Sequence, residues 1–191
     1  MTALTLGNAL GALRAARSPS DVVITTMGAA REWMAAGPIG ALDFVYVPSS
    51  MSQAPSLGLG LALAQPDRRI VVVNGDGSML MNLGSLVTIA AQAPRNLVVI
   101  VCVNGVYEVT GAQPIPGGGT VDFGLLARAA GFSATERFTE LEPWTTALPE
   151  VLTAPGPRLI ELVVPAVKGI GGPRSPGPAA ARAESFRQAL G

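Results

Sequence analysis

Two uninterrupted apolar runs constrain the fold of this chain more than any other feature of its sequence. Residues 69–74 read RIVVVN, and residues 97–103 read LVVIVCV. Continuous runs of Val and Ile at strand length are typical of parallel strands buried on both faces, because a strand with one solvated face alternates apolar and polar residues. The sequence therefore predicts an α/β protein built on a parallel sheet.

The rest of the chain alternates extended and helical patterns around these runs. We predict strands at residues 21–25, 43–47, 69–74, 97–103, 135–138 and 158–164. We predict helices at residues 6–17, 29–36, 51–64, 78–92, 123–130, 143–152 and 179–190, and an irregular stretch at 104–120. This order implies a doubly wound, mostly parallel sheet of about six strands with helices on both faces. We expect one domain over residues 1–164, a Gly/Pro-rich tail over 165–178 and a C-terminal helix over 179–191.

Polar residues follow each of the two buried runs. Asp76 lies between Gly75 and Gly77 after the first run, and Asn104 follows the second. Open α/β sheets bind ligands at the carboxyl ends of their strands, so we expect these side chains to meet. One carboxylate and one amide oxygen suit Mg2+ bridged to a phosphate, and the two glycines leave room for the phosphate. The N–H groups of Gly77 and Ser78 would hold that phosphate at the start of the predicted helix.

Simpler interpretations of the same residues are open at this point. Gly-Asp-Gly is often only a tight turn, a strand-ending Asn is often a turn residue, and Ser78 could be a plain helix N-cap. Two nucleotide-binding motifs fit poorly. The P-loop pattern GxxxxGK[ST] does not occur, and the glycines at 58 and 60 precede the strand instead of opening the helix after it.

The motif from Gly75 to Ser78, with Asn104 26 residues beyond it, resembles the Mg2+- and diphosphate-binding signature of thiamine diphosphate (ThDP) enzymes. Further segments are similar to the phosphonopyruvate and sulfopyruvate decarboxylases of this family: NGVY at 104–107, TGAQP at 110–114, SMS at 50–52, LGLALAQPDRR at 59–69, and RSP at 174–176 before FRQAL at 186–190. The resemblance covers nearly the whole chain. It implies the C-terminal, diphosphate-binding domain of a ThDP enzyme.

The resemblance assigns a metal site to the end of the two strands. It implies that Asp76, Asn104 and the backbone carbonyl of Val106 coordinate Mg2+. Tyr107 begins the loop beyond the metal and is a further candidate for contact with the cofactor. Glu108 follows it, and a solvated loop position is the simpler interpretation for that carboxylate.

On the pyrimidine side of the cofactor, the resemblance places Met51 between the two rings of ThDP, where it enforces a bent conformation. Ser49 and Ser50 precede it on the loop whose backbone should touch the aminopyrimidine. The family usually has Gly at the positions of Ser49 and Ser52, and a polar residue, often His, at Gln53; these departures bear on substrate choice. Without the resemblance, Met51 would be predicted to pack at the start of a helix.

The resemblance also implies a second chain. ThDP enzymes activate the cofactor with a Glu from a separate pyrimidine-binding domain, and 191 residues suffice for one domain. We therefore expect no catalytic residue in this chain. We predict a hetero-oligomer such as α2β2, in which a partner (α) subunit supplies the Glu and this chain alone is inert.

The function that the resemblance implies is the β subunit of a split, ThDP-dependent decarboxylase of a small 2-oxo acid. An acetolactate synthase-like or acyloin-forming carboligase subunit is an alternative, because the same chemistry serves both outcomes. A 2-oxo acid:ferredoxin oxidoreductase β subunit is another, although Cys102 is the only cysteine and cannot hold an iron–sulfur centre. A degenerate scaffold is the non-enzymatic alternative, and the intact Asp76 and Asn104 argue against it.

The amino-acid composition limits the kinds of partner, the localisation and the catalytic groups that we expect. Hydrophobic residues make up 49% of the chain and charged residues 14%, which indicates a surface partly covered by another chain. Formal net charge is zero and no basic run occurs, so we expect no nucleic acid partner. Neither a signal peptide nor a membrane-spanning run is recognisable, and we expect a cytoplasmic protein. Histidine is absent, which removes the commonest general base, and Cys102 is predicted to be a core residue.

Overall fold

The structure, a computed structural model, describes residues 3–46, 51–167 and 176–191. Eight strands lie in these residues: β1 (Val22–Thr26), β2 (Asp43–Tyr46), β3 (Ile70–Gly75), β4 (Leu97–Val103), β5 (Val106–Tyr107), β6 (Gln113–Pro114), β7 (Ala134–Phe138) and β8 (Arg158–Val163). The α-helices of the same residues are α1 (Leu6–Ala16), α2 (Met27–Ala35), α3 (Ala54–Ala64), α4 (Asp76–Leu80), α5 (Gly84–Gln92), α6 (Phe123–Ala130), α7 (Leu141–Thr153) and α8 (Ala179–Leu190).

Six of the strands form one parallel sheet in the order β2-β1-β3-β4-β8-β7. The predicted fold class, a doubly wound α/β sheet of about six strands, is confirmed. In the pairing of β3 with β4, Gly75 lies opposite Cys102, so the two strands end side by side. The remaining strands, β5 and β6, form a separate two-residue antiparallel pair beyond the end of β4.

Helices cover both faces of the sheet, as the two continuous apolar runs require. One core cluster joins α1, α2 and α7 to Val71, Val73 and Ile100 on one face. The other joins α3, α5, α6 and α8 to Val72 and Val99 on the opposite face. Each fully buried aliphatic side chain contributes about 1.5–3 kcal/mol relative to an exposed one, so alternate residues of both central strands stabilise opposite layers.

The indole nitrogens of two buried tryptophans tie the first of these layers together. Trp144 Nε1 donates to the carbonyl of Ala9 at 3.0 Å and so links α7 to α1. Trp33 Nε1 donates to Asp43 Oδ2 at 3.0 Å and links α2 to β2. Burying each indole N–H therefore costs little, because each has an acceptor.

The predicted bounds of two helices were wrong. The helix predicted over 78–92 is two helices, α4 and α5, separated by a turn at 81–83. Asn82 breaks the helix because its side chain donates to the carbonyl of Ser52 and its own carbonyl accepts from Ser85. The helix predicted from Met51 begins at Ala54, since Ser52 has φ +73 and Pro55 favours the first turn.

Other predicted elements agree with the structure in whole or in part. The predicted capping of α6 is confirmed: Asp122 accepts the N–H of Leu125 at 2.7 Å, and Gly131 ends the helix at φ +108. The stretch 104–120, predicted to be irregular, differs in part: it contains the short pair β5–β6, which the sequence did not predict, and a 3-10 turn at Glu108–Thr110. The C-terminal helix α8 is present and packs Phe186 on Phe44 with ring centroids 5.0 Å apart. The proposed division at 164 and 178 stays a prediction.

No helix in the described part of the chain is long and apolar enough to cross a membrane.

Candidate functional site

The strand ends that carry Asp76 and Asn104 meet at the carboxyl edge of the sheet. The N–H groups of Asn104 and Gly105 donate to Asp76 Oδ2 at 2.9 and 2.7 Å. The N–H of Gly77 donates to Asp76 Oδ1 at 2.7 Å. The two residues that the sequence paired across 28 positions are thus in direct contact.

The Asp76 carboxylate is held in a buried, largely desolvated position. Asp76 is 2% exposed, and this burial raises the pKa of its carboxyl. Hydrogen bonds from the N–H groups of Gly105, Gly77 and Asn104 act in the opposite direction and lower the pKa. Asn104 Oδ1 accepts the N–H of Val106 at 3.0 Å, which brings Val106 to the same strand end. A carboxylate short of solvent would gain stability from a bound cation.

Two glycines shape the space around this carboxylate differently. A Cβ atom at position 77 would collide with the ring of Tyr107, so a side chain there would displace that ring. A Cβ atom at position 75 would meet nothing within 4 Å. The absence of a side chain at Gly77 therefore allows Tyr107 to pack over the start of α4. The space next to the Cα atom of Gly75 is unfilled.

A cleft at this edge contains most of the predicted site residues. Its walls include Met51, Gly75, Asp76, Gly77, Ser78, Asn104, Val106 and Tyr107, all of them predicted, together with Leu6, Thr26, Met27, Gly28, Ala29, Cys102, Glu108, Val109 and Thr110. The other two predicted residues, Ser49 and Ser50, lie outside the described residues. Glu108 lies half-buried in the cleft wall, and its Oε1 accepts the N–H of Val167 at 2.6 Å in an exposed hydrogen bond.

The sequence interpretation did not place Thr26 or Cys102 in the cleft. Thr26 ends β1, which lies beside β3, and this position at a strand end was the available signal. Met27 follows with φ +51, a left-handed conformation that is unusual for a residue with a side chain. Cys102 is buried, and burial raises the pKa of its thiol to about 12, so it stays protonated and acts as a small core residue as predicted.

The turn that carries Met51 is attached to the first helical turn after β3. The N–H of Ser52 donates to Ser78 Oγ at 2.8 Å. Ser78 does not cap α4, because Gly75 occupies the N-cap position; the N-cap interpretation was wrong. Met51 itself is 40% exposed at the cleft, so the interpretation as buried packing was also wrong.

The donor groups at this site have the chemistry that Mg2+ prefers. One carboxylate, one amide oxygen and backbone carbonyls are hard oxygen ligands, and Mg2+ commonly takes one or two protein carboxylates plus phosphate and water. Within the described residues no group of three or more His, Cys, Asp or Glu could hold a metal by itself. A cation at Asp76 would therefore need further oxygens from a ligand, and the open space at Gly75 leaves room for one.

A family model for the C-terminal TPP-binding domain of thiamine pyrophosphate enzymes matches residues 21–162. The chain belongs to this family.

Relatives of this ThDP family agree with the predicted type. Phosphonopyruvate decarboxylase from Streptomyces viridochromogenes is 41% identical over 144 residues, which cover 74% of this chain and 36% of that protein. Sulfopyruvate decarboxylase subunit beta from Methanothermobacter thermautotrophicus is 50% identical over 88 residues, 46% of each chain. The matched residues thus span less than half of either relative.

A solved structure supports the ThDP fold. The thiamine diphosphate-dependent 4-hydroxybenzoylformate decarboxylase of Rhodococcus jostii RHA1 superposes with a TM-score of 0.72 at 21% identity, covering 88% of this chain and 34% of that one. At this identity the likeness concerns the fold alone.

Proposed function

We propose that this chain is the diphosphate- and Mg2+-binding β subunit of a split, ThDP-dependent 2-oxo acid decarboxylase of the sulfopyruvate and phosphonopyruvate type. The observation that carries the proposal is the direct contact of Asp76 with Asn104 at adjacent strand ends. In a chain of the ThDP family, this contact supports a site for one metal ion and one diphosphate at this edge of the sheet.

The metal would be held by three oxygens of this chain. Asp76 supplies the negative charge, Asn104 supplies its amide oxygen, and Val106 supplies a backbone carbonyl. The hydrogen bond from the Val106 N–H to Asn104 Oδ1 holds these two residues close together on the loop. Diphosphate oxygens and water would complete the octahedral shell that Mg2+ requires.

The diphosphate would lie against the start of α4. Gly75 leaves open space beside the Asp76 carboxylate, and Ser78 holds the turn that carries Met51. Tyr107, packed over Gly77, would form the wall on the loop side. Because α4 is only five residues long, we assign the binding energy mainly to the metal and not to a helix dipole.

ThDP supplies an electron sink for decarboxylation when it is bound. The contribution of this chain is orientation. Met51 stands 40% exposed in the cleft, where its thioether side chain could contact a bound ring without any rearrangement of the core. Ser49 and Ser50 would provide backbone contacts to the aminopyrimidine, and the apolar walls at Leu6, Ala29 and Val109 would limit access of water.

A partner subunit would complete the active site. Relatives that match this chain bear the name sulfopyruvate decarboxylase subunit beta, and the phosphonopyruvate decarboxylase of Streptomyces viridochromogenes is matched over 36% of its length. Both facts support a separate chain that carries a pyrimidine-binding domain and the activating Glu. An assembly such as α2β2 would then place one cleft of this chain against each partner.

Decarboxylation is preferred over carboligation because of the relative strength of the matches. Acetolactate synthase isozyme 1 large subunit of Escherichia coli is 26% identical over 146 residues, against 41% over 144 residues for the phosphonopyruvate decarboxylase. A small 2-oxo acid would be the substrate in either case.

The test combines binding with turnover. The chain co-expressed with a partner subunit is titrated with ThDP in Mg2+ and in EDTA, and carbon dioxide release is then measured from sulfopyruvate, phosphonopyruvate and pyruvate. We expect Mg2+-dependent binding and decarboxylation of at least one of these acids. An assembled complex that binds ThDP equally well in EDTA would contradict the metal site, and one that binds but forms only acyloin products would contradict the reaction.

A further inference from the structure

The outer surface of the helix layer formed by α3, α5 and α6, here termed the outer helical face, is strongly apolar. Nine large apolar side chains are exposed in the described residues, and five of them lie on these helices or on the turn before α5: Leu63, Met81, Val87, Leu125 and Leu126. Leu125 is 62% exposed and Val87 60%. Single exposed apolar residues are normal on a soluble protein, but a group on one face marks an interaction site.

This face also lacks charge. Thirteen residues of the three helices are exposed, and Arg128 is the only charged one among them. Its guanidinium donates to the side chain and the carbonyl of Thr135. Helix α8, in the same layer, instead carries the exposed ion pair Glu184–Arg187 at 2.7 Å. A solvated helix usually presents charged and polar residues outward, so the composition of α3, α5 and α6 indicates a covered surface.

The shape of the face suits a second copy of the same surface. A groove between α5 and α6 is lined by Leu83, Leu86, Val87, Leu126, Ala129 and Ala130. Leu125 is exposed on α6, next in sequence to Leu126 of the groove wall. A two-fold contact is made by the same patch on both copies, and this face offers both a projecting side chain and a recess that could receive it. Because the face is almost uncharged, two copies can meet without like-charge repulsion.

We infer that the outer helical face is a two-fold contact between two copies of this chain, in which Leu125 of each copy packs into the α5–α6 groove of the other. The groove and the cleft share no lining residue, so the cleft stays available to a different chain. Such a contact would join the two β subunits of an α2β2 assembly. It is a property of the isolated chain and does not depend on cofactor binding.

The test is the mass of the purified full chain in solution, measured by sedimentation velocity and light scattering. At about 0.1 mM, well above a micromolar Kd, we expect twice the chain mass of 19.4 kDa. Val87→Glu and Leu126→Glu each place a carboxylate in the contact and should reduce the mass to that of one chain. Ile39→Glu is the control, because Ile39 is 39% exposed outside this face and should leave the dimer intact.

Circular dichroism and thermal unfolding establish that the variants fold, which we expect because each substituted side chain is at least 38% exposed. A wild-type chain that is monomeric at this concentration would overturn the inference. So would a dimer that neither Val87→Glu nor Leu126→Glu dissociates. If Val87→Glu impaired only the association with a partner subunit, the face would belong to that subunit and not to a second copy.

Discussion

At the scale of single residues, Asp76 combines a structural and a proposed functional role in one carboxylate. It accepts three backbone N–H groups, from Gly77, Asn104 and Gly105, and so joins the end of β3 to the loop after β4. The same contacts orient the carboxylate toward the cleft. Loss of this side chain should therefore disturb the loop after β4 as well as the binding of the metal.

We predict that Asp76→Ala abolishes Mg2+-dependent ThDP binding and that Asn104→Ala is nearly as severe, because each removes one of few protein oxygens. Calorimetry of the assembled complex measures this. Asp122→Ala is the matched control: it also removes a carboxylate that accepts a backbone N–H, should cost about 1 kcal/mol as a lost N-cap, and should bind ThDP normally. Near wild-type affinity in Asp76→Ala would show that Asp76 has only a structural role.

Met51 provides a test of orientation as opposed to affinity. Because its side chain is 40% exposed, Met51→Ala should leave the melting temperature close to that of the wild type. The single-turnover rate of the assembled enzyme should fall at least tenfold, since the bound cofactor would lose its positioning contact. Ile39→Ala is the control, as Ile39 is 39% exposed and lies outside both the cleft and the outer helical face. Equal rates in the two variants would remove Met51 from the active site.

The backbone conformation of Ser52 is one that favours glycine. The family usually has Gly here, and Ser52 has φ +73, a conformation that costs a residue with a side chain about 1–2 kcal/mol. After allowance for the greater freedom of glycine in the unfolded chain, Ser52→Gly should raise the free energy of unfolding by roughly 0.5–1 kcal/mol. Ala93→Gly, at φ +46 beyond α5, should give a similar gain far from the cleft. Chemical denaturation of both variants measures the free energy of unfolding. A Ser52→Gly variant less stable than the wild type would contradict the claim that the backbone at Ser52 is strained.

At the scale of elements, a buried carboxylate connects α6, β7 and β8. Glu161 of β8 is 1% exposed. Its Oε1 accepts the N–H of Gly124 at the start of α6, and its Oε2 pairs with Arg137 of β7, both at 3.0 Å. Burial raises the pKa of this carboxyl above its ordinary value of 4.5, although the Gly124 N–H and Arg137 oppose the shift.

The raised pKa predicts a pH dependence of stability. A carboxyl whose pKa is higher in the folded than in the unfolded state costs no stability below pH 4.5, and costs progressively more as the pH rises through the folded pKa. Glu161→Gln removes this cost, so the melting temperature of the variant relative to the wild type should increase with pH above 4.5.

Glu184→Gln should behave in the opposite way, because the hydrogen bond to Arg187 lowers the pKa of the exposed Glu184 carboxyl. Its disadvantage relative to the wild type should therefore grow as the pH rises. Melting curves at several pH values compare the two variants, and a pH-independent difference for Glu161→Gln would refute the predicted cost.

At the scale of the whole molecule, the two surfaces that we propose contact other chains are separate. The cleft lies at the carboxyl edge of the sheet, and the outer helical face lies over α3, α5 and α6. No Glu of this chain is assigned to activate the cofactor. We therefore predict that the purified chain shows no decarboxylation of any 2-oxo acid and gains activity on co-expression with its partner. Robust turnover by the chain alone would refute the split enzyme.

The sequence by itself determined the sheet and the central pair of the site. Continuous runs of Val and Ile are typical of strands covered on both faces, and their alternation with helical segments predicted parallel strands at residues 69–74 and 97–103. Once they are neighbours, their ends bring Asp76 and Asn104 together, as the 2.9 Å hydrogen bond demonstrates. The cap at Asp122 and the end at Gly131 depend only on local backbone geometry and were predictable for the same reason.

Only the tertiary structure decided where α3 and α5 begin and what surrounds Asp76. The turn at Ser52 is joined to Ser78 and Asn82, residues 26 and 30 positions away, and these contacts break the helices that local patterns predicted to be longer. Thr26 enters the cleft only because β1 pairs with β3. Such contacts depend on which segments become neighbours after folding. The local periodicity of the sequence does not predict these neighbours.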